Sequence, residues 1–336
     1  MPAGLGSASS LRVKAEATAG TRPATGFFVV PVTGFDMIPR AGTRKKSAVL
    51  GDSFAATNVA FRGPIGVRGK VGAEGGYNGS LDWLLYMMLG AKATTGGGVD
   101  PYTNIYTPGA TPPTYHAEHI AGNIPAGKCY RYQNMVASSL ALSGDANGNI
   151  SAQAEIVAEK EASVSGGDTP TTAGLVTVSD VPIQNTHGTI WNMGVGSNTL
   201  YCLKKWSLKL SRPLAPDRAC VGSAFYKAPT FVGPLELDYE FEIEWEDEAM
   251  YRAFVNATVL TAIQIKYVGG AILTGFYTLD MRVNRSDLDE AGPPEWNTNG
   301  ALSQILKGTG YGNAGAGAAK EPISVTTINS INGAVI

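Results

Sequence analysis

The sequence predicts a mainly β protein, two antiparallel sheets packed as a sandwich or barrel and flanked by one or two short α-helices. Three observations carry that prediction. Residues 235–246 alternate strictly, with Leu235, Leu237, Tyr239, Phe241, Ile243 and Trp245 against Glu236, Asp238, Glu240, Glu242, Glu244 and Glu246. A strand turns successive side chains to opposite faces, so this run has one apolar face and one acidic face. The runs MVASSLALSG (135–144) and ISAQAEIVAEKE (150–161) also alternate, on either side of DANGN, and Asn-Gly between alternating runs is a strong hairpin signal. Only two short stretches, around 80–90 and 247–256, have helical spacing.

At 336 residues the chain is long enough for one large β domain or two smaller ones, with a sizeable core. Lys and Arg number 26 against 28 Asp and Glu. That balance argues against gripping nucleic acid through a basic surface, or anionic membrane through a basic patch. A charged fraction of 16% with 42 glycines suits a chain that buries its outer surface in an assembly, and equally a secreted β protein. Cys129, Cys202 and Cys220 lack metal-ligand spacing and are read as buried thiols of a reducing compartment. The start of the chain shows no continuous apolar signal region, and the longest apolar run, 83–89, is too short to span a bilayer, so no membrane anchor is expected.

Along the chain, residues 1–25 are expected to form a mobile arm. FFVVPV from Phe27 starts a strand, and residues 34–60, with the basic knot Arg44, Lys45 and Lys46, read as a long loop. FRGPIGVRGKVGAE (61–74) reads as a bent strand. The first helix has Ser80 as its cap, Asp82 in its first turn and Gly90 as its stop. Leu81, Leu84, Leu85, Met88 and Leu89 form its apolar stripe, a core face. Residues 92–127 read as loops, and LVTVSD (175–180) and LYCLKKWSLKLSRPL (200–214) as strands. The similar SLALS (139–143) and SLKLS (207–211) suggest equivalent strands in two sheets. Asp247 is the expected cap of the second helix, with Met250–Phe254 and Tyr251–Val255 pairs and Asn256 at its end. TAIQIKYV (261–268) and AILTGFYTLDMRVN (271–284) follow as strands, then a Gly/Ala-rich extension, 290–336, with a last strand at ISVTTI (323–328).

Motifs that suggest chemistry fail on context. GNIPAGKC (122–129) resembles a phosphate loop, but Pro125 interrupts it and no helix follows. His116, Glu118 and His119 suggest zinc, but the pair is not at i, i+4 on a helix and is read as a surface loop without metal. The acidic row places carboxylates about 7 Å apart, a spacing compatible with a glycosidase. Its acids are equivalent, however, without the asymmetry an acid and a nucleophile need, so no enzyme activity and no cofactor are expected.

Three blocks in order resemble phage tail tube proteins (the major tail protein family): GSLDWLLYMMLGA (79–91), NMVASSLALSGDANGNISAQAEIVAEKE (134–161) and LELDYEFEIEWEDEAMYRAFVNAT (235–258). YTNIYTPGATPPTYHAEH (102–119) adds to the likeness, which spans about 79–285. The resemblance implies a tail-tube domain over 26–289, between the arm and the extension, and hexameric rings stacked into a tube that conducts double-stranded DNA without binding it specifically. It further implies a virion protein assembled in host cytoplasm, with a tape-measure protein, a tail terminator, baseplate or tip proteins and, in a contractile tail, a sheath as partners. On this reading Glu236, Asp238, Glu240, Glu242 and Glu244 face the lumen, and Arg44, Lys45 and Lys46 lie in an inter-ring loop. The competing placement turns the acids to outside solvent or pairs them with Lys204, Lys205 and Lys209. Alternative functions are the inner tube of a contractile injection or secretion system, and a carbohydrate-binding sandwich using Tyr102, Tyr106 and Tyr115 as platforms.

Overall fold

A computed structural model describes residues 9–41, 45–46, 60–61, 65–96, 100–120, 128–161, 168–177, 179–192, 202–215, 218, 220, 225–293, 302–312 and 321–332. Strands β1 (Ser10–Ala15), β2 (Phe28–Val30), β3 (Gly34–Ala41), β4 (Lys45–Lys46), β5 (Ala60–Phe61) and β6 (Ile65–Glu74) precede helix α1 (Asp82–Leu89). Then come β7 (Gly90–Thr95), β8 (Tyr102–Pro108), β9 (Tyr115–Ile120), β10 (Tyr130–Asp145), β11 (Ser151–Ala158), β12 (Lys160–Glu161), β13 (Gly188–Asn192) and β14 (Leu203–Ser211). After β15 (Glu236–Glu244) and α2 (Ala249–Val255) follow β16 (Leu260–Ile272), β17 (Gly275–Ala291), β18 (Ser303–Gly310) and β19 (Ile323–Asn329).

The strands pair antiparallel in one long ladder, β3-β6-β11-β10-β14-β15-β18-β17-β19-β8-β7, with β16 and then β13 on the other edge of β17. Strands β2, β1 and β9 join it at the first third of β10. Two long strands, β10 with 16 residues and β17 with 17, give the ladder its shape. Tyr130–Met135 of β10 pairs with β9, and Val136–Asp145 with β11 and β14. Asn134, at φ +52, marks the change, a conformation Asn tolerates better than most residues. Likewise β17 pairs with β19 through Thr278–Val283 and with β18 through Ser286–Ala291. Inward residues of distant strands thereby meet, and Trp206 Nε1 of β14 donates to the Tyr267 hydroxyl of β16 at 2.7 Å. The sheet curls into a barrel, and among the described residues no pairing joins β3 to β7.

Helix α1 is buried at every position but Tyr86, and Leu81, Leu84, Leu85, Met88 and Leu89 all lie in the core. Each such side chain contributes about 1.5–3 kcal/mol of transfer free energy. Gly90, at φ +94, ends the helix as expected, with its N–H on Tyr86 O. Ser80 is not the cap. Its hydroxyl accepts from Gly76 N and donates to Glu74 O, pinning the turn after β6. Asp82 is fully buried and accepts from the Tyr106 hydroxyl (2.8 Å), the Thr327 hydroxyl (2.7 Å) and Asn329 Nδ2 (2.6 Å). It ties α1 to β8 and β19.

Several expected boundaries shift. Residues 10–15, inside the expected arm, form β1 with Leu11 and Val13 buried, because β9 supplies a partner about 105 residues away. Residues 34–41 are strand β3, not loop, and residues 92–127 hold β7, β8 and β9. The Gly/Ala-rich extension contributes β18 and β19, whose inward residues Leu306, Ile323 and Val325 join the core. The run 271–284 is broken by a turn at Leu273–Thr274, and the expected strand at 175–180 is reduced to a bridge from Val176 to Phe28. SLALS and SLKLS are neighbours in one ladder, with Leu140 opposite Leu210 and Leu142 opposite Leu208. In α2 the cap position is Glu248, one residue past the expected Asp247, whose carboxylate accepts from Ala249 N. Met250 is buried while Phe254 is exposed, so that expected pair is split, and Tyr251 and Val255 are both exposed.

Candidate functional site

The alternation in β15 becomes two physically different surfaces. Leu237, Tyr239, Phe241 and Ile243 are buried, while Glu236, Asp238 and Glu240 are exposed and Glu242 and Glu244 half-buried on the opposite face. Flanking registers fix what these acids see. Asp238 lies between Lys209 and Thr309, Glu240 between Ser207 and Lys307, and Glu242 between Lys205 and Ile305. Lys205 and Lys209 thus face the acids within one chain. Among the described residues, however, no cation comes within ion-pair distance of the five carboxylates. Lys307 Nζ pairs with Glu290 of β17 at 3.0 Å instead, and that contact raises the Lys307 pKa.

Acids on β17 extend the same surface. Asp289 accepts from the Thr309 hydroxyl (2.7 Å), and Asp287 from the Tyr311 hydroxyl (2.9 Å). The two strands approach closely at Gly308, where a Cβ would sit 2.3 Å from the Tyr239 hydroxyl and 2.2 Å from Asp287 O. Only glycine fits there. Tyr239, its pKa pushed up to about 12 by burial, bonds to Ser286 and Asp287 O at 3.2 Å. Over this seam lies a shallow hollow of about 430 Å³, lined by Lys209, Asp238, Glu240, Asp289, Glu290 and Lys307. Toward β10 and β11 the same side carries Ala141, Ser143, Ser151 and Gln153 aligned in register, then Glu155, paired with Lys70 at 3.4 Å. Such a face suits electrostatic exclusion of anions better than chemistry. Like charges about 7 Å apart along a strand cost roughly 0.6 kcal/mol per pair in water, a repulsion that Lys205, Lys209 and Lys307 opposite the row reduce without forming an ion pair to it among the described residues.

The other sequence candidates land elsewhere. Lys45 and Lys46 pair with Phe61 and Ala60 in a two-stranded ribbon, and Arg44 lies outside the described residues. His116, Glu118 and His119 sit on strand β9, with His116 and Glu118 buried, rather than on a surface loop. Glu118 accepts from Arg22 (2.7 Å), Thr171 N (2.7 Å) and the Thr171 hydroxyl (2.9 Å), with Arg131 Nε 3.7 Å away. His116 Nδ1 lies 3.6 Å from a Glu16 carboxylate oxygen. Burial pushes the Glu16 pKa up, but the adjacent His116 ring and hydrogen bonds from the backbone N–H groups of Asn134 and Gly20 outweigh it and hold the pKa below its usual value. Among the described residues no group of three or more His, Cys, Asp or Glu is disposed to hold a metal. This buried cluster was missed in the sequence because its members are separated by up to about 150 residues.

Most of the phosphate-loop look-alike lies outside the described residues; Cys129 is buried in a backbone bridge to Asp168, and burial pushes its thiol pKa up. Cys202 and Cys220 are exposed, contrary to the expectation of three buried thiols. Tyr106 and Tyr115 are fully buried, so they offer no platform for a sugar.

No curated protein matches the chain. The family model described as phage tail tube protein matches residues 6–329. Its span takes in β1 and β19 as well as the acidic strand, and with nearly the whole length matched the chain belongs to the phage tail tube protein family.

Proposed function

We propose that six copies of this structural tail protein close into a ring, that rings stack into a tube, and that the β15 acids line a lumen through which DNA passes. The observation that carries the reading is the acidic face of β15, set on the central ladder, whose carboxylates have no ion-pairing cation among the described residues. A conduit for DNA must not hold it. Repeated carboxylates repel phosphates, and the lysines beside them, Lys205, Lys209 and Lys307, are fewer than the acids of β15 and β17. The outer edges of β3 and β7, without a strand partner among the described residues, support ring closure. A ring needs head-to-tail contacts between different surfaces of one chain, and unpaired strand edges are natural joints. The ribbon bearing Lys45 and Lys46 is assigned to the seam between stacked rings.

Electron microscopy of the purified protein at rising concentration tests this. The expected result is six-fold rings or hollow tubes whose map puts Glu240 on the inner wall and Lys45 at the ring–ring seam. A tube with Glu240 on its outer wall would overturn the lumen assignment, and assemblies without six-fold symmetry would overturn the ring.

A further inference from the structure

The hairpin joining β16 to β17 has the character of an interface rather than of a solvated turn. The thirteen residues 267–279 contain no charge, between Lys266 and Asp280. At the tip, Leu273 is 80% exposed and Phe276 is 57% exposed. Leu273 also has φ +36, a backbone conformation that disfavours a branched side chain and for which hairpin turns normally use Gly or Asn. An exposed Leu in a strained position contributes nothing to the core. Local strain of this kind, on the order of 1 kcal/mol, points to a use elsewhere.

The same molecule carries a surface suited to receive this tip. On the outward side of β7, β8 and β19, Ala93, Ile105 and Thr326 lie in one cross-strand row, and Thr95, Thr103 and Ile328 in the next. None is charged, and Ile105 is 37% exposed. The acidic face could not take Leu273 and Phe276 without desolvating carboxylates. The uncharged face could, burying apolar area on both sides. Tip and face are separate patches of one chain that adjoin where Thr278, two residues past Phe276, lies opposite Ile328.

We propose that the β16–β17 hairpin docks its Leu273–Phe276 tip on the β7–β8–β19 face of a second copy of this chain. The inference rests on the self-assembly of the proposed function and adds the surfaces that meet. The test places the photo-crosslinker p-benzoylphenylalanine at position 276 of the full chain. Irradiation follows at concentrations up to those where electron microscopy shows rings, and adducts are mapped by mass spectrometry. An adduct between copies, falling within 91–108 or 323–329, supports the docking whether or not rings are seen. Rings without that adduct overturn the docking and leave the ring reading standing; neither rings nor adduct overturns both. Leu273→Asp and Ile105→Asp, on opposite sides of the contact, should each lower assembly at least tenfold while leaving the melting temperature of the monomer unchanged. Assembly at wild-type concentration by both variants would also overturn the docking.

Discussion

At the residue scale, Asp82 shows how a carboxylate can be structural and still titrate. Burial raises its pKa to about 6, against the opposing influence of three donors that favour the charged form. The folded protein therefore holds a proton that the unfolded chain releases near pH 4. Stability linked to this group is fully present below pH 4 and is lost as pH rises through 6, by roughly 3 kcal/mol in all. Asp82→Asn removes the titration. It also sets an amide against Asn329 Nδ2, whose own Oδ1 already accepts from Ile331 N, so a rearrangement of about 1 kcal/mol is expected at all pH values. Urea midpoints measured from pH 4 to pH 7 should fall for the wild type and stay flatter for the variant. Parallel profiles would show that Asp82 does not titrate in this range. In the sequence Asp82 reads only as a first-turn acid complementing the helix dipole. Its partners Thr327 and Asn329 lie about 245 residues away, so nothing local announces the tether.

At the element scale, legibility follows the range of the information. Strand β15 and the β10–β11 hairpin were legible because alternation and the Asn-Gly turn lie within the elements themselves. Helix α1 was legible in its stripe and its Gly90 stop, but not in its start, where Ser80 serves the preceding turn. Strand β1 was not legible. LRVKA alternates over too few residues to stand out, and its partners on β9 and β2 are supplied by the fold. The segment that follows β1 is clasped by Arg22 on buried Glu118, with Gly20 N on Glu16 and Gly26 N on Ala173 O. Arg22 is 37% exposed, so solvent screening reduces what the ion pair contributes. Arg22→Ala should destabilise by about 1–2 kcal/mol, since Thr171 and Arg131 still serve the buried carboxylate. The distinctive readout is hydrogen exchange. Amides of Gly20 and Gly26 should exchange faster while those of β10 and β11 keep their protection. Uniform acceleration over the whole chain, or none at Gly20, would contradict a local clasp.

At the scale of the whole molecule, a near-neutral total conceals an uneven distribution. The net charge is only −2, yet one face of β15 carries five carboxylates without an ion-pairing cation among the described residues, and the β7–β8–β19 face carries uncharged rows. Sequence alternation told that β15 has two faces, but not which one an assembly would turn inward, because register fixes sides within a chain and not the placement of a neighbour. In the tube proposed above, the acidic row repeats in every subunit of every ring, and on the lumen reading its field acts on DNA along the whole path. Glu240→Lys with Glu242→Lys shifts each subunit by four charges at positions already flanked by Lys307 and Lys205. Glu240 is exposed and Glu242 half-buried on the outward side, away from the core, so folding and tube length should be preserved. DNA ejection from particles carrying the pair should slow severalfold at low salt and recover as salt rises, since phosphate–lysine attraction is screened and its counterion-release contribution declines. Ejection at the wild-type rate and with the wild-type salt dependence would place the acidic row outside the DNA path, and with it the lumen on another face of the ladder.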